Sequence, residues 1–129
     1  MKLHPDAING SSITAYGTGW VEVNGQKYCH SLVISAMGDR LEWNGVHYDN
    51  LEAAHFEQIA RMNPELVIFG SGERMRFPQP QWLDALISRR IGIETMDTHA
   101  ACRAFNFLSA EERKVVAVLL LPPAPALAN

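Results

Sequence analysis

Hydrophobic and polar positions alternate in the first half of the chain and bunch into apolar blocks in the second. "WVEVNGQKY" (20–28) places two short alternating runs on either side of Asn24-Gly25. Both residues tolerate positive φ, which a type I′ turn demands, so the stretch predicts a β-hairpin. "LEWNGVHY" (41–48) repeats the device at Asn44-Gly45. A two-residue turn there pairs Trp43 with Val46 and Leu41 with Tyr48 on one face, leaving Glu42 and His47 on the other. Between them "YCHSLVISA" reads as one longer strand ending near Gly38-Asp39.

From Asn50 the period lengthens. "NLEAAHFEQIARMNP" carries Ala53, Phe56, Ile59 and Ala60 on one helical stripe, with Asn50 as N-cap and Asn63-Pro64 as the stop. "ELVIFG" is a short apolar strand. "PQWLDALISRR" places Trp82, Leu83, Leu86 and Ile87 at helical spacing, with Pro80 in the first turn and Arg89 and Arg90 at the negative end of the helix dipole. "IGIETM" is a further strand. "DTHAACRAFNFL" puts Ala101, Ala104, Phe105 and Leu108 on one face, capped by Asp97 or Thr98. "SAEE" (109–112) has the spacing of a capping box and predicts another helical turn. "VVAVLLL" is a last apolar strand. Continuous apolar strands of this kind belong in parallel sheets covered on both faces. The expected class is α+β, with N-terminal hairpins followed by strand-helix-strand-helix-strand.

The 129 residues suit a single domain, expected over 1–121, with a proline-rich flexible tail over 122–129. A net charge of -3 leaves no basic footprint for nucleic acid or anionic lipid. The chain start lacks the apolar run of an export signal, and prolines break the longest apolar run well short of a membrane span. A cytoplasmic protein without an integral membrane segment is the expectation. Cys29 and Cys102 then read as small, partly buried apolar residues rather than a disulfide.

"FGSGERMRFPQP" resembles the start of a phosphate-binding unit, since Gly70 and Gly72 follow a strand and the acidic Glu94 ends the next one. The third glycine of that fingerprint falls at Met75, however. Phe77-Pro78-Gln79-Pro80 delays the helix, and Glu73 sits where an anion would go. A turn is the better reading, with Arg74 and Arg76 leaving room for a weak anion site. His4, His30, His47, His55 and His99 have no zinc spacing, and His55 and His99 lie off the apolar stripes, on the solvated side of their helices. Ser71 lacks the nucleophile-elbow pattern, and Cys102 falls in mid-helix, where no dipole lowers its pKa. No catalytic residue, metal ligand or cofactor site is expected. One polar group does stand out. Glu94, Thr95, Thr98, Arg103, Asn106, Glu112 and Arg113 gather at the "ETM" strand end and its helix, as a capping and salt-bridge network or as a site. Of these, Glu94, Thr98, Arg103, Asn106 and Arg113, with Gly70, Gly72 and Arg74, supply the candidate binding or structural cluster.

These residues carry a resemblance. "ELVIFGSGERMRFP" followed by "GIETMDTHAACRAFNFLSAEERKVVAVLL" is similar to the signature of a small α+β family of unknown function that includes the mitochondrial respiratory complex I assembly factor three. The matching positions are Gly70, Gly72, Phe77-Pro78, Glu94, Met96, Thr98, Ala101, Phe105-Asn106, Glu111 or Glu112, and Arg113. Where the family often has Thr-Tyr before the Asn, this chain has Ala104-Phe105. The resemblance implies a three-layer β/β/α fold with a hammerhead-like hairpin region. It implies no established enzymatic activity, and a helper role in building a membrane respiratory complex. The first functional reading is therefore a non-enzymatic binding or assembly factor whose partners are respiratory complex subunits, docking through Trp20 or Trp43. The second is a small-molecule or anion binder, or an enzyme, using Gly70–Arg76 and Glu94–Arg103. A homodimer formed through exposed hairpin edges is a third.

Overall fold

The computed structural model describes residues 10–123. His4 and the part of the expected tail from 124 onward lie outside the described residues. Two sheets lie among the described residues. The small one is β1 (Ile13–Gly17), β2 (Trp20–Val23) and β3 (Gln26–Tyr28), in that order and antiparallel. The large one is built from β4 (Leu32–Ser35), β5 (Arg40–Glu42), β6 (Leu66–Gly70), β7 (Gly92–Met96) and β8 (Val115–Leu119), ordered β5-β4-β8-β6-β7. β6 runs parallel to both β7 and β8, while β4 is antiparallel to β5 and β8. Among the described residues three α-helices complete the fold: α1 (Ala53–Ala60), α2 (Asp84–Ser88) and α3 (Thr98–Ala110).

The α+β class with β/β/α layering agrees with expectation. Side-chain alternation in the central strands decides what covers each face. Val33, Val67, Phe69, Val116 and Val118 point to one side, where Phe56, Ile59 and Ala60 of α1 and Leu86 of α2 bury them. Leu32, Ile34, Ile68, Ala117 and Leu119 point to the other, where Ala101, Cys102 and Phe105 of α3 share a core with Val21, Val23 and Tyr28 of the small sheet. The crossover from β6 to β7 moves outward, and the one from β7 to β8 moves back across β6. Parallel crossovers share one handedness, so this reversal sends α2 and α3 to opposite faces.

The structure corrects several local expectations. Asn24 and Gly25 have φ of 51° and 85°, so the first hairpin turns as expected. At Asn44-Gly45 only the glycine has positive φ, at 84°. The Val46 amide does close the turn on the Trp43 carbonyl at 2.9 Å. A turn with positive φ at its second central residue alone splays the arms, so Tyr48–Asn50 forms a 3-10 turn instead of a returning strand. The "YCHSLVISA" run breaks at Cys29–Ser31 because the chain passes there from the small sheet to the large one. Asn50 belongs to the 3-10 turn, and Glu52 is the N-cap of α1. "SAEE" ends α3 rather than starting a helix, for Glu112 has φ of 63° and its amide bonds back to the Ser109 carbonyl. Cys29 is exposed, and Cys102 is fully buried. Trp43 is 5 % exposed with its indole N–H on Gln58 Oε1 at 3.1 Å, so it offers no docking patch. Among the described residues no helix is long and apolar enough to cross a membrane.

Candidate functional site

β6, β7 and β8 end together: Gly70 lies opposite both Met96 and Leu119. The chain leaving β6 turns toward α2 and the chain leaving β7 turns into α3, on the other face. A crevice opens where neighbouring connections part in this way, at the carboxyl ends of parallel strands. Here it has two arms sharing Gly72, Glu73 and Leu120–Pro122. One arm, of about 260 Å³, is bounded by Thr18, Gly19, Asp97, Thr98 and His99. The other, of about 440 Å³, is bounded by His47, Tyr48, Asp49, Arg74 and Arg76.

The Gly-Ser-Gly loop is fastened from inside. The Ser71 amide donates to the Met96 carbonyl at 2.9 Å, and the Gly72 amide donates to Thr98 Oγ1 at 2.9 Å. The Thr98 hydroxyl in turn donates to the Leu120 carbonyl at 2.7 Å, and the Thr98 amide reaches the Gly72 carbonyl at 2.9 Å. The amides that a phosphate cradle requires are thus engaged within the fold. Asp97 accepts from the Ala100 amide at 2.9 Å and puts a carboxylate at the start of α3, where an anion would bind. Ser71 Oγ lies 2.8 Å from the Arg74 carbonyl and 3.2 Å from the Met96 carbonyl, both acceptors for its proton, and accepts the Arg76 amide at 2.9 Å. Its bonds tie the loop down and present no base.

The eight residues singled out from sequence occupy separate places. Gly72 and Thr98 line the crevice, and Gly70 is buried against the Thr98 backbone beneath it. Arg74 is exposed at its rim. Glu94 is exposed on β7, beside Ile68, and its side chain has no hydrogen-bond partner among the described residues. Arg103 Nη1 donates to the Tyr16 hydroxyl at 2.8 Å. The Asn106 amide group donates to the Ile13 carbonyl at 2.7 Å and accepts its N–H at 2.8 Å. Arg113 Nε meets Glu65 Oε1 at 2.8 Å, and this bond is the first cause holding the Glu65 carboxyl below its ordinary range. Arg103 and Asn106 tie α3 to β1, while Arg113 ties the start of β8 to that of β6. Glu94 and Arg103 are not joined.

The histidines near the crevice are engaged. His99 Nε2 lies 3.0 Å from the Gly17 carbonyl, with its ring 4.7 Å from that of Tyr16. His47 Nδ1 lies 3.2 Å from the Leu121 carbonyl. His55 packs edge-on against Trp43 at 4.9 Å and accepts the Glu52 amide, so neither His55 nor His99 stands off in solvent. No group of three or more His, Cys, Asp or Glu able to hold a metal occurs among the described residues. Burial pushes the Cys102 thiol up to about 12, leaving it without nucleophilic character at neutral pH.

Sequence reasoning missed the wall formed by Tyr48 and Arg76. The guanidinium lies 4.0 Å from the Tyr48 ring centroid, and the Tyr48 hydroxyl donates to the Phe77 carbonyl at 2.6 Å. Assigning Tyr48 to a hairpin strand hid this contact. The readable signal was "RMRF", an alternation of cationic and apolar residues with no strand to bury its apolar half.

Comparison with known proteins places this architecture. The chain is 31 % identical over 124 residues to the Danio rerio protein named NADH dehydrogenase [ubiquinone] 1 alpha subcomplex assembly factor 3, covering 95 % of this chain and 71 % of that one. It is 34 % identical over 127 residues to the Homo sapiens protein of the same name, covering 94 % and 66 %. A crystal structure of a Bordetella parapertussis protein superposes with a TM-score of 0.81 at 33 % identity, over 88 % of this chain and 97 % of that one. A family profile matches residues 13–120, most of the chain, which therefore belongs to the family described as "Protein of unknown function (DUF498/DUF598)".

Proposed function

We propose that this protein is a non-enzymatic assembly factor that binds subunits of a membrane respiratory complex of the NADH-ubiquinone oxidoreductase type, working from the cytoplasm. The observation that carries this reading is the 31–34 % identity, along at least 94 % of this chain, to relatives named for that assembly role. The crevice chemistry supports it. The Ser71 and Thr98 hydroxyls and the loop amides serve the fold, and the buried Cys102 thiol is unreactive. Complex I subunits should therefore be recovered with the chromosomally tagged chain from mildly solubilised membranes. Its deletion should accumulate incomplete subcomplexes on native gels. Capture of no such subunit, together with a normal level of assembled complex in the deletion strain, would rule the role out.

A ligand-binding role for the crevice has one observation in its favour, the incompletely paired guanidinium of Arg76.

A further inference from the structure

Arg76 is held as a surface cation without a proper acceptor. Its backbone amide donates to Ser71 Oγ, and its guanidinium carbon lies 4.0 Å from the Tyr48 ring centroid. Nε is covered and has no hydrogen-bond partner among the described residues. Nη1 comes no closer than 3.9 Å to Asp49, whose side chain is 94 % exposed, so that pairing is weak. The Arg76 side chain keeps 37 % of its surface and lines the crevice. An unsatisfied, pre-positioned guanidinium suits a planar carboxylate, which it binds through two parallel hydrogen bonds.

Beside it the chain runs through 75–79 without regular structure, and Met75 and Phe77 are 50 % and 68 % exposed. Their amides donate to no group among the described residues. Pro122 and Pro123 add apolar surface across the crevice. Cation, apolar side chains and free amides along one stretch fit an extended peptide, which uses all three. A lipid surface fits less well. Two side chains offer fewer apolar carbons than one myristoyl chain, which by itself holds a protein to a bilayer only marginally.

We infer that the Arg74–Phe77 loop and the crevice wall of Tyr48 and Arg76 form a docking site for an extended acidic-apolar peptide segment of a partner protein, with Arg76 clamping a carboxylate and Met75 and Phe77 covering its apolar neighbours. This deepens, and rests on, the protein-binding role proposed above.

The probe is a peptide of about ten residues alternating Glu with Leu or Phe, titrated into the full-length ¹⁵N-labelled chain. Saturable shifts are expected at Arg74–Phe77, Tyr48 and Leu121 and at the Arg76 side-chain Nε–H. A Gln-for-Glu peptide should bind at least about tenfold more weakly. Arg76→Gln should lose a similar factor. Since Arg76→Gln also removes packing on Tyr48, the double variant Met75→Ser/Phe77→Ser, at exposed positions, provides the second measurement and should also weaken binding. Equal binding of the Glu and Gln peptides overturns the site, as do shifts confined to other surfaces. Inorganic phosphate matching the peptide's affinity reassigns Arg76 to small anions, and stronger binding to anionic vesicles reassigns the loop to lipid; both outcomes overturn the inference. If the combined variant Met75→Ser/Arg76→Gln/Phe77→Ser still captures respiratory subunits, this site is wrong while the assembly role stands. Peptide binding in a chain that captures no such subunit upholds the site and removes the assembly role.

Discussion

A β-carbon built on Gly70 would lie 2.8 Å from the Val118 carbonyl oxygen and 2.9 Å from the Ala101 β-carbon. The last residue of β6 is thus a glycine because β8 and α3 close over it, and backbone rather than phosphate occupies the space a side chain would need. Gly72 differs: nothing lies within 4 Å, and its φ of 115° is what excludes other residues. Gly70→Ala should cost roughly 1–3 kcal/mol in urea denaturation through overpacking alone. An unchanged midpoint would mean that α3 does not press on β6 as described. The thiols offer a second residue-scale test. Burial pushes the Cys102 thiol up to about 12, which keeps it protonated at pH 8. A thiol reagent should therefore modify exposed Cys29 in the native protein and reach Cys102 only after denaturant. The unfolded thiol ionises near pH 9.0 and the folded one only at about 12, so this group's contribution is complete below about pH 9 and lost as pH rises through that range. Rapid native labelling of Cys102 would contradict its burial.

At the scale of elements, Asn106 does for β1 what a neighbouring strand would do. Its amide pairs with both backbone groups of Ile13, at 2.7 and 2.8 Å, from the face of α3. The edge of the small sheet is thereby closed with a single side chain, while Arg103 holds Tyr16 further along the same strand. Asn106→Leu keeps the side-chain volume and leaves both Ile13 groups unpaired. A loss of about 2 kcal/mol is expected, with faster hydrogen exchange at the Ile13 amide. Unaltered exchange there would show that the pairing is not what orders β1. The sequence marked Asn106 as one of a polar group around the "ETM" strand end. Its spacing within α3 showed which face it occupies, but β1, ninety-three positions away, is brought to that face only by folding.

Across the whole molecule, one core joins the small sheet, α3 and one face of the large sheet. A chain of this size with a shared core should unfold as one unit. In urea, amide cross-peaks of Val21 and Val23 should vanish with the same midpoint as those of Val67 and Val116. A lower midpoint for the first pair would make the small sheet a separate cooperative unit and would weaken the case that α3 locks it in place.

Local pattern was sufficient for the apolar strands of the second half, the stripes of α1 and α3 and the Asn24-Gly25 turn, since each depends on residues a few positions apart. The sequence set the Gly-Ser-Gly loop apart from a phosphate cradle by the spacer after Gly72, whereas in the fold the loop amides are taken up by the Met96 carbonyl and Thr98 Oγ1. Tertiary structure alone decided that Asn44-Gly45 does not open a hairpin, that Trp43 is buried, and that Arg76 lies on Tyr48. Each of these depends on which surfaces meet, and periodicity along the chain records which positions are apolar without recording what covers them.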